Sequence, residues 1–270
     1  MLKKLFVHEW KDCWKLMSVV NAIVIAVSIL GLLIFGSKAW QNIGDNTLAG
    51  ISRVLYFMIY VISVGALSFV VSLYFYIRYF NNLYTDQGYL MHTLPVTANQ
   101  LVWSKLLVAV AWHVISAVVV MLSVFTVICS FIGGLEQLNL IQAMRDLIVE
   151  LDIPMTGTLI VLIIEFFALI VLGGFLNIFL GYTAISVGQL MKKQKILGAI
   201  GAYIVIYILV QAISSYATIP VTYFMEQVAD SESLMPVIAL LFIVGVVTAL
   251  IDVALFYVNT YIMKNKLNLE

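Results

Sequence analysis

The chain has 270 residues, and its basic and acidic side chains balance, so that the formal net charge at pH 7 is zero. Hydrophobic residues make up 63% of the sequence and charged residues only 10%. A soluble domain has about half apolar and about a quarter charged residues, so this composition excludes an ordinary soluble globular protein. The net charge by itself indicates nothing about acidic partners, and we expect no nucleic-acid partner.

Six apolar stretches follow one another along the chain, and each meets the length of about 20 predominantly apolar residues that a membrane-spanning helix needs. They lie at about 16–35, 54–77, 101–130, 157–187, 196–219 and 236–262. Backbone groups find no water in a bilayer, so such stretches are expected to be helical. The sequence therefore predicts an all-α integral membrane protein with six transmembrane helices, which form a single domain over residues 1–270.

The segment before the first span, residues 2–15, has the pattern of an amphipathic helix. Trp10 and Trp14 lie on its apolar face, and the amphipathic rings of tryptophan suit the headgroup boundary. We therefore expect an interfacial helix that lies in the plane of the membrane. Glu9 interrupts the apolar face. It either lies at the rim of that face, which we favour, or points at a neighbouring part of the protein.

The second connection, residues 78–98, is rich in aromatic residues. The tripeptide at 86–88, Asp-Gln-Gly, indicates a turn, and Pro95 stops any helix that would run through the segment. Aromatic side chains at this density are typical of protein interfaces, although an aromatic belt against lipid is the alternative.

Two later connections carry other signals. The fourth connection is short and basic, with Lys192 and Lys193, and could contact a cytoplasmic partner or anionic lipid headgroups; charge alone favours the lipid. Pro220 interrupts the segment 216–235, which suits a re-entrant element that dips partway into the membrane.

Small residues recur at helix-packing spacing on the fourth and fifth spans. The pairs are Ala184 with Gly188 and Gly198 with Ala202. Such pairs let two backbones approach closely, and we expect most of them to pack within the chain rather than at a dimer face.

The orientation of the spans follows from the basic residues. Eleven of the 14 Lys and Arg residues lie in the amino-terminal arm, in the second and fourth connections with the adjoining span ends, and in the tail. They are Lys3, Lys4, Lys11, Lys15, Arg78, Lys105, Lys192, Lys193, Lys195, Lys264 and Lys266. The positive-inside rule places this side, and with it both termini, in the cytoplasm.

Two carboxylates, Glu165 and Asp252, lie within predicted spans. An ionised Asp near a helix centre costs about 3 kcal/mol on insertion scales, so neither is expected to face lipid. They form either a proton or substrate site or, as we favour, hydrogen-bonded contacts between helices. His113, Asn177 and Gln211 are the candidate partners.

Motifs for catalysis are missing from the sequence. It contains no zinc-protease motif, no nucleophile elbow, no metal-binding cluster and no P-loop for ATP. Cys13 and Cys129 are isolated and predict neither a disulfide nor a metal site. We expect a protein that is not an enzyme and binds no cofactor of its own.

One stretch resembles a known family. Residues 79–97 read YFNNLYTDQGYLMHTLPVT, and residues 100–106 read QLVWSKL. They are similar to a motif of the six-span permease subunits of type-2 ABC exporters, in the branch common in Gram-positive bacteria, which often carries Y-x-N-L-Y-x-D-[EQ]-G-Y-L-x-x-T-L-P-V-[ST] and then Ser-Lys-Leu. Gln87 stands where an acidic residue is common, which puts a charge contact to the ATPase in doubt but not the fold.

The resemblance implies partners and site residues. The chain would pair with a second, identical or different permease chain and with a cytoplasmic ABC ATPase subunit, which would hold ATP and Mg²⁺, in the plasma membrane of a bacterium. The residues that it places at the ATPase are Tyr79, Tyr84, Asp86, Gly88 and Tyr89, with Lys192 and Lys193 as a minor contact. The residues that it places near a substrate path along the second and fifth spans are Tyr56, Ser63, Tyr207 and Gln211.

Three functions are therefore open. The leading hypothesis is the permease subunit of an ATP-driven exporter for a substrate such as a peptide or a lipid-like molecule. The second is a proton-coupled secondary transporter that uses Glu165 and Asp252. The third is a membrane scaffold or sensor that transports nothing and recruits a cytoplasmic partner through residues 78–98.

Overall fold

The computed structural model of the chain describes residues 2–35, 37, 47–85, 98–132, 157–191, 193–227 and 235–265. Within these ranges the protein has six α-helices and no β-strand. They are α1 (Leu2–Phe35), α2 (Thr47–Tyr84), α3 (Ala98–Ile132), α4 (Thr158–Gly188), α5 (Lys195–Gln227) and α6 (Met235–Asn265). The predicted all-α class and the six hydrophobic helices are confirmed.

Each of the six helices contains a segment that is long and apolar enough to cross a membrane. Large apolar side chains on all of them are exposed, among them Leu33, Ile62, Leu122, Ile163, Ile196 and Leu250. A soluble protein rarely exposes large contiguous apolar patches, because they are unfavourable in water. Such surfaces are suited to lipid hydrocarbon.

The amino-terminal segment is not a separate element. Residues 2–15, predicted as an interfacial helix, continue without a break into the first span as α1 (Leu2–Phe35). Residues 12–20 contain neither proline nor glycine, so nothing in the backbone ends the helix there. At about 1.5 Å per residue, its 34 residues extend for about 50 Å, well beyond a hydrocarbon core of about 30 Å.

The fifth helix also runs further than expected. Pro220 lies inside α5, which continues to Gln227 rather than breaking at the proline. Transmembrane helices tolerate a proline where other groups satisfy the freed carbonyl. The helical part of the proposed re-entrant segment 216–235 is therefore an extension of α5, and its residues 228–234 lie outside the described ranges.

The helices divide between two compact units. Unit 1 comprises Met1–Trp10, Ser72–Ala111 and Pro154–Glu270, and unit 2 comprises Lys11–Val71 and Trp112–Ile153. The helices α1, α2 and α3 each pass from one unit into the other, whereas α4, α5 and α6 belong to unit 1. In unit 1 the three helices α4, α5 and α6 pack against one another in all pairs.

Glycines bring α4 and α5 together at the turn between them. A Cβ on Gly188 would lie 2.5 Å from the backbone nitrogen of Ala199. A Cβ on Gly198 would lie 3.4 Å from the Cα of Gly188 and 2.5 Å from the sulfur of Met191. The predicted use of these small residues, close packing within the chain, is confirmed.

Candidate functional site

Side chains at the carboxyl end of α2, residues 72–84, make polar contacts with several other helices of unit 1. We call it the α2 end. Its side chains reach α1 through Arg78, α4 through Tyr76 and Tyr84, α5 through Tyr76 and α6 through Tyr79. The contacts fall into two groups, one ionic and one built on tyrosines.

The ionic group is a cluster of Glu9, Arg78 and Lys105. Nε and Nη2 of Arg78 both lie 2.8 Å from Oε2 of Glu9. Nζ of Lys105 donates to Oε1 of Glu9 at 2.6 Å. Glu9 is 6% exposed and Lys105 is 4% exposed. Glu9 therefore points into the protein, and the favoured placement at the rim of the apolar face is wrong.

The ion cluster joins the beginning of α1, the α2 end and the beginning of α3 within unit 1. A buried charge is tolerable only when it is paired and hydrogen-bonded, and each cation here shares the same carboxylate. Because Arg78 also donates from Nη1 to the Tyr74 hydroxyl at 3.2 Å, its guanidinium plane is held from two sides.

The second group, the tyrosine cluster, consists of Tyr79, Tyr84, Tyr182, Ser186 and Asn259. Tyr79 donates to Oδ1 of Asn259 at 2.9 Å and stacks on the ring of Tyr182 at 3.7 Å between centroids. Ser186 donates to the same Oδ1 at 2.9 Å, and its hydroxyl lies 2.7 Å from that of Tyr84. The α2 end is thereby bonded to both α4 and α6 through hydrogen bonds that are buried at Tyr79 and partly buried at Tyr84.

One turn earlier, Tyr76 and Ser72 bind Asn177 of α4. The Tyr76 hydroxyl donates to the backbone carbonyl of Asn177 at 2.7 Å, and Ser72 donates to its Oδ1 at 3.0 Å. The ring of Tyr76 lies directly against Gly181, where a Cβ would overlap it. Asn177, a candidate partner for an intramembrane carboxylate, thus serves to join α2 to α4.

The residues expected at an ATPase have different surroundings. Tyr79 is 1% exposed, so it has no surface to offer another chain and can only hold the α2 end in place. Tyr84 is half-buried and Lys193 is exposed. The other four residues, Asp86, Gly88, Tyr89 and Lys192, lie outside the described residues.

The residues expected near a substrate path are divided between the units. In unit 2, Tyr56 donates to the Val27 carbonyl at 3.3 Å, and Ser63 donates to the carbonyl of Tyr60 in its own helix. In unit 1, Gln211 donates to the hydroxyl of Tyr207 at 3.1 Å on an exposed face of α5. Their role in transport stays a prediction.

The intramembrane carboxylate of Asp252 does not form the expected hydrogen bond within the described helices. Asp252 is 7% exposed, and neither of its oxygens has a hydrogen-bond partner among the described residues; the same holds for Oε2 of Glu165. Of the candidate partners, Asn177 bonds to α2, Gln211 bonds to Tyr207, and His113 belongs to unit 2.

Asp252 lies on the face of α6 that packs on α4. Residues seven apart share a helix face, and Gly245 and Asn259 lie seven residues before and after Asp252. Gly245 is next to Leu169 and Leu172 of α4, and Asn259 accepts its hydrogen bond from Ser186 of α4. The carboxylate of Asp252 is therefore enclosed by protein rather than directed at lipid.

Several members of these clusters were missed by the sequence analysis. The sequence analysis did not single out Tyr182, Ser186 or Asn259. It used Lys105 for its charge and as part of the Ser-Lys-Leu match. Asn259 offered a signal, since a carboxamide within an apolar span needs a partner. Glu9 gave a second signal, because a carboxylate on an apolar helix face needs a cation nearby.

Two further results bear on the class of the protein, and both are negative. In the part of the chain that the structure describes, no group of three or more His, Cys, Asp and Glu side chains could hold a metal ion. Comparison with protein-family models, with curated proteins and with solved structures gives no match. Its class therefore follows from the architecture, which is that of a multi-pass membrane protein with six apolar helices.

Proposed function

We propose that the chain is the permease subunit of an ABC exporter and that a separate ATPase subunit drives it through the α2 end and the residues that follow. The observation that carries this proposal is the set of buried bonds from the α2 end to α1, α4 and α6. The resemblance of residues 79–106 to such permeases supports it independently, because it falls on the same segment.

The proposed mechanism uses the α2 end as the element that transmits motion. Closure of an ATPase dimer around ATP and Mg²⁺ would displace the segment after Tyr84. Because the α2 end is held to its neighbours by an ion cluster and by buried hydrogen bonds, the attached helix ends would move with it. Two permease chains, identical or different, would then change from inward-open to outward-open.

The orientation belongs to the same proposal. Both termini and the α2 end lie in the cytoplasm of a bacterium, as the distribution of Lys and Arg indicates. Residues 2–15 extend from the bilayer into the cytoplasmic interface, where Trp10 and Trp14 suit the headgroups. The substrate is a peptide or a lipid-like molecule, and Tyr56, Ser63, Tyr207 and Gln211 lie along its path.

The proposal predicts a stoichiometric partner. The tagged chain, purified in mild detergent, is expected to carry one P-loop ATPase subunit per permease chain and to stimulate its ATP hydrolysis. Replacing Tyr84 and Asp86 by alanine should remove the ATPase, because it deletes an aromatic and a turn residue of the contact. The measurement is the ratio of the two chains after gel filtration, together with the ATPase rate.

Two controls keep this result interpretable. Tyr84→Phe removes only the hydroxyl that meets Ser186, so loss of the ATPase in the single variant Tyr84→Ala but not in Tyr84→Phe assigns the effect to the ring. Tyr207→Ala removes an exposed aromatic side chain elsewhere and should leave the partner bound. A well-folded chain that carries no ATPase would contradict the proposal.

Asp252 supports a second candidate function, proton-coupled transport. Its carboxylate is buried without a hydrogen-bond partner among the described residues, and an ionisable group at such a position is a proton-site hypothesis. Here Asp252→Asn should abolish proton flux driven by a pH gradient in proteoliposomes, as measured with a pH-sensitive dye. Glu165→Gln tests the second intramembrane carboxyl group of this hypothesis in the same way. Equal flux in the wild type and in Asp252→Asn would exclude this function.

A further inference from the structure

A second face of the α2 end, different from the face of Tyr79, carries an open cavity of about 320 Å³. The described residues that line it are Tyr74, Ile77, Arg78, Asn81, Asn82 and Thr85. Their spacing places them along one side of the helix. Neither the ATPase proposal nor the proton-site hypothesis assigns this cavity a role.

The lining is suited to an anionic oxygen group. It combines the guanidinium of Arg78 and the carboxamides of Asn81 and Asn82, all of which can donate hydrogen bonds, whereas the hydroxyl of Thr85 donates to the backbone carbonyl of Asn81. Among its described residues there is no carboxylate to repel an anion. Arginine is the side chain best suited to phosphate, and contacts with Glu9 and Tyr74 already hold its plane in place.

The charge of the neighbouring ion cluster also favours an anion in this cavity. Arg78 and Lys105 carry two positive charges and Glu9 one negative charge, so the three groups together carry a net charge of +1. Because Glu9 and Lys105 are buried, this charge is screened less than on an open surface. It attracts an anion to the adjacent cavity.

An apolar strip leads to the cavity along the same helix. Ile77 is a member of the lining, and Leu73 lies one turn before it. Ile77 is 49% exposed and Leu73 is 41% exposed. After Ile77 the helix carries a charged residue, Arg78, and the carboxamides of Asn81 and Asn82. We therefore infer that the boundary between hydrocarbon and headgroups falls at this level of α2. A soluble phosphate would make no use of the strip, whereas a phospholipid would cover it.

We propose that this cavity binds an anionic phospholipid, with its phosphate among Arg78, Asn81 and Asn82 and an acyl chain along Leu73 and Ile77. The lipid would stabilise the α2 end at the membrane boundary. The inference rests on the membrane-spanning class of the protein and not on an ATPase partner, so the two proposals can fail separately.

Native mass spectrometry of the full chain in detergent tests the inference with phosphatidylglycerol as the probe. We expect one retained phosphatidylglycerol per chain and about fivefold weaker retention of the zwitterionic phosphatidylcholine, the ratio typical of one surface charge. The double variant Asn81→Leu, Asn82→Leu should reduce phosphatidylglycerol retention about tenfold, because it removes two hydrogen-bond donors. It leaves the ion cluster intact, so the fold is expected to persist.

Further measurements distinguish the proposed lipid site from general attraction by an exposed cation and from binding of a soluble phosphate. Lys264→Gln, which removes an exposed cation at the end of α6, should leave retention unchanged. Glycerol 3-phosphate in excess should not displace the lipid, because it lacks the acyl chain that covers Leu73 and Ile77. The inference is overturned if the double variant retains the lipid as the wild type does, if Lys264→Gln lowers retention equally, or if glycerol 3-phosphate displaces the lipid.

Discussion

Replacing Glu9 by glutamine is expected to lower the free energy of unfolding by about 3–5 kcal/mol, because it leaves one buried and one partly buried cation without their carboxylate. Arg78 and Lys105 both bind Glu9, and Lys105 is 4% exposed. Water therefore cannot replace the missing charge. The effect is measured as the shift of the thermal unfolding midpoint of the detergent-solubilised chain, followed by tryptophan fluorescence.

Two variants make the Glu9 result specific. Asp12→Asn removes an exposed carboxylate three residues later in the same helix and should change the unfolding midpoint little. Glu9→Gln combined with Lys105→Met should recover part of the lost stability, because the buried cation is then gone as well. If Glu9→Gln behaves like Asp12→Asn, the ion cluster does not form.

Replacing Tyr79 by alanine is expected to cost about 3–5 kcal/mol of stability, the range for removing a large aromatic side chain from a packed interior. Tyr79 is 1% exposed and stacks on Tyr182 at 3.7 Å. Tyr79→Phe keeps the ring and removes only the donor to Asn259, so it should cost about 1–2 kcal/mol. Thermal unfolding in detergent measures both variants.

The control for Tyr79 is Tyr207→Ala, because Tyr207 is 45% exposed and its ring leaves no buried cavity when removed. Its effect on the midpoint should be small. Comparable losses from Tyr79→Ala and Tyr207→Ala would show that the tyrosine cluster is not packed as described. Tyr79→Phe also bears on the exporter proposal, since a folded variant that binds the ATPase but no longer stimulates it would assign Tyr79 to transmission.

The two clusters hold the α2 end by different physical means. The ion cluster depends on charge and should weaken when either sign is removed, whereas the tyrosine cluster depends on packing and on hydrogen bonds between neutral groups. Together they connect one helix end to the beginnings of α1 and α3 and to the ends of α4 and α6. A segment connected in this way is a suitable point for a partner to act on the whole of unit 1.

The helices themselves could be predicted from the sequence alone. The predicted span 157–187 agrees with the helix Thr158–Gly188, and the predicted span 236–262 with the helix Met235–Asn265. This succeeds because the length and composition of an apolar stretch are local properties, and a helix satisfies its own backbone. The predictions at Pro220 and at residues 2–15 were less accurate, because local signals for a break are weaker than the continuity of a helix.

The amino-acid sequence by itself determined that this is a six-helix membrane protein and which segment carries its most informative polar and aromatic residues. The tertiary structure decided how those residues are used. Glu9 and Lys105 are 96 residues apart, and Tyr79 and Asn259 are 180 residues apart. No periodicity of one helix shows such a pairing, because it depends on which helix faces meet. The same packing directed Glu9 inward, where the sequence alone left two placements open, and it enclosed Asp252 as the sequence predicted.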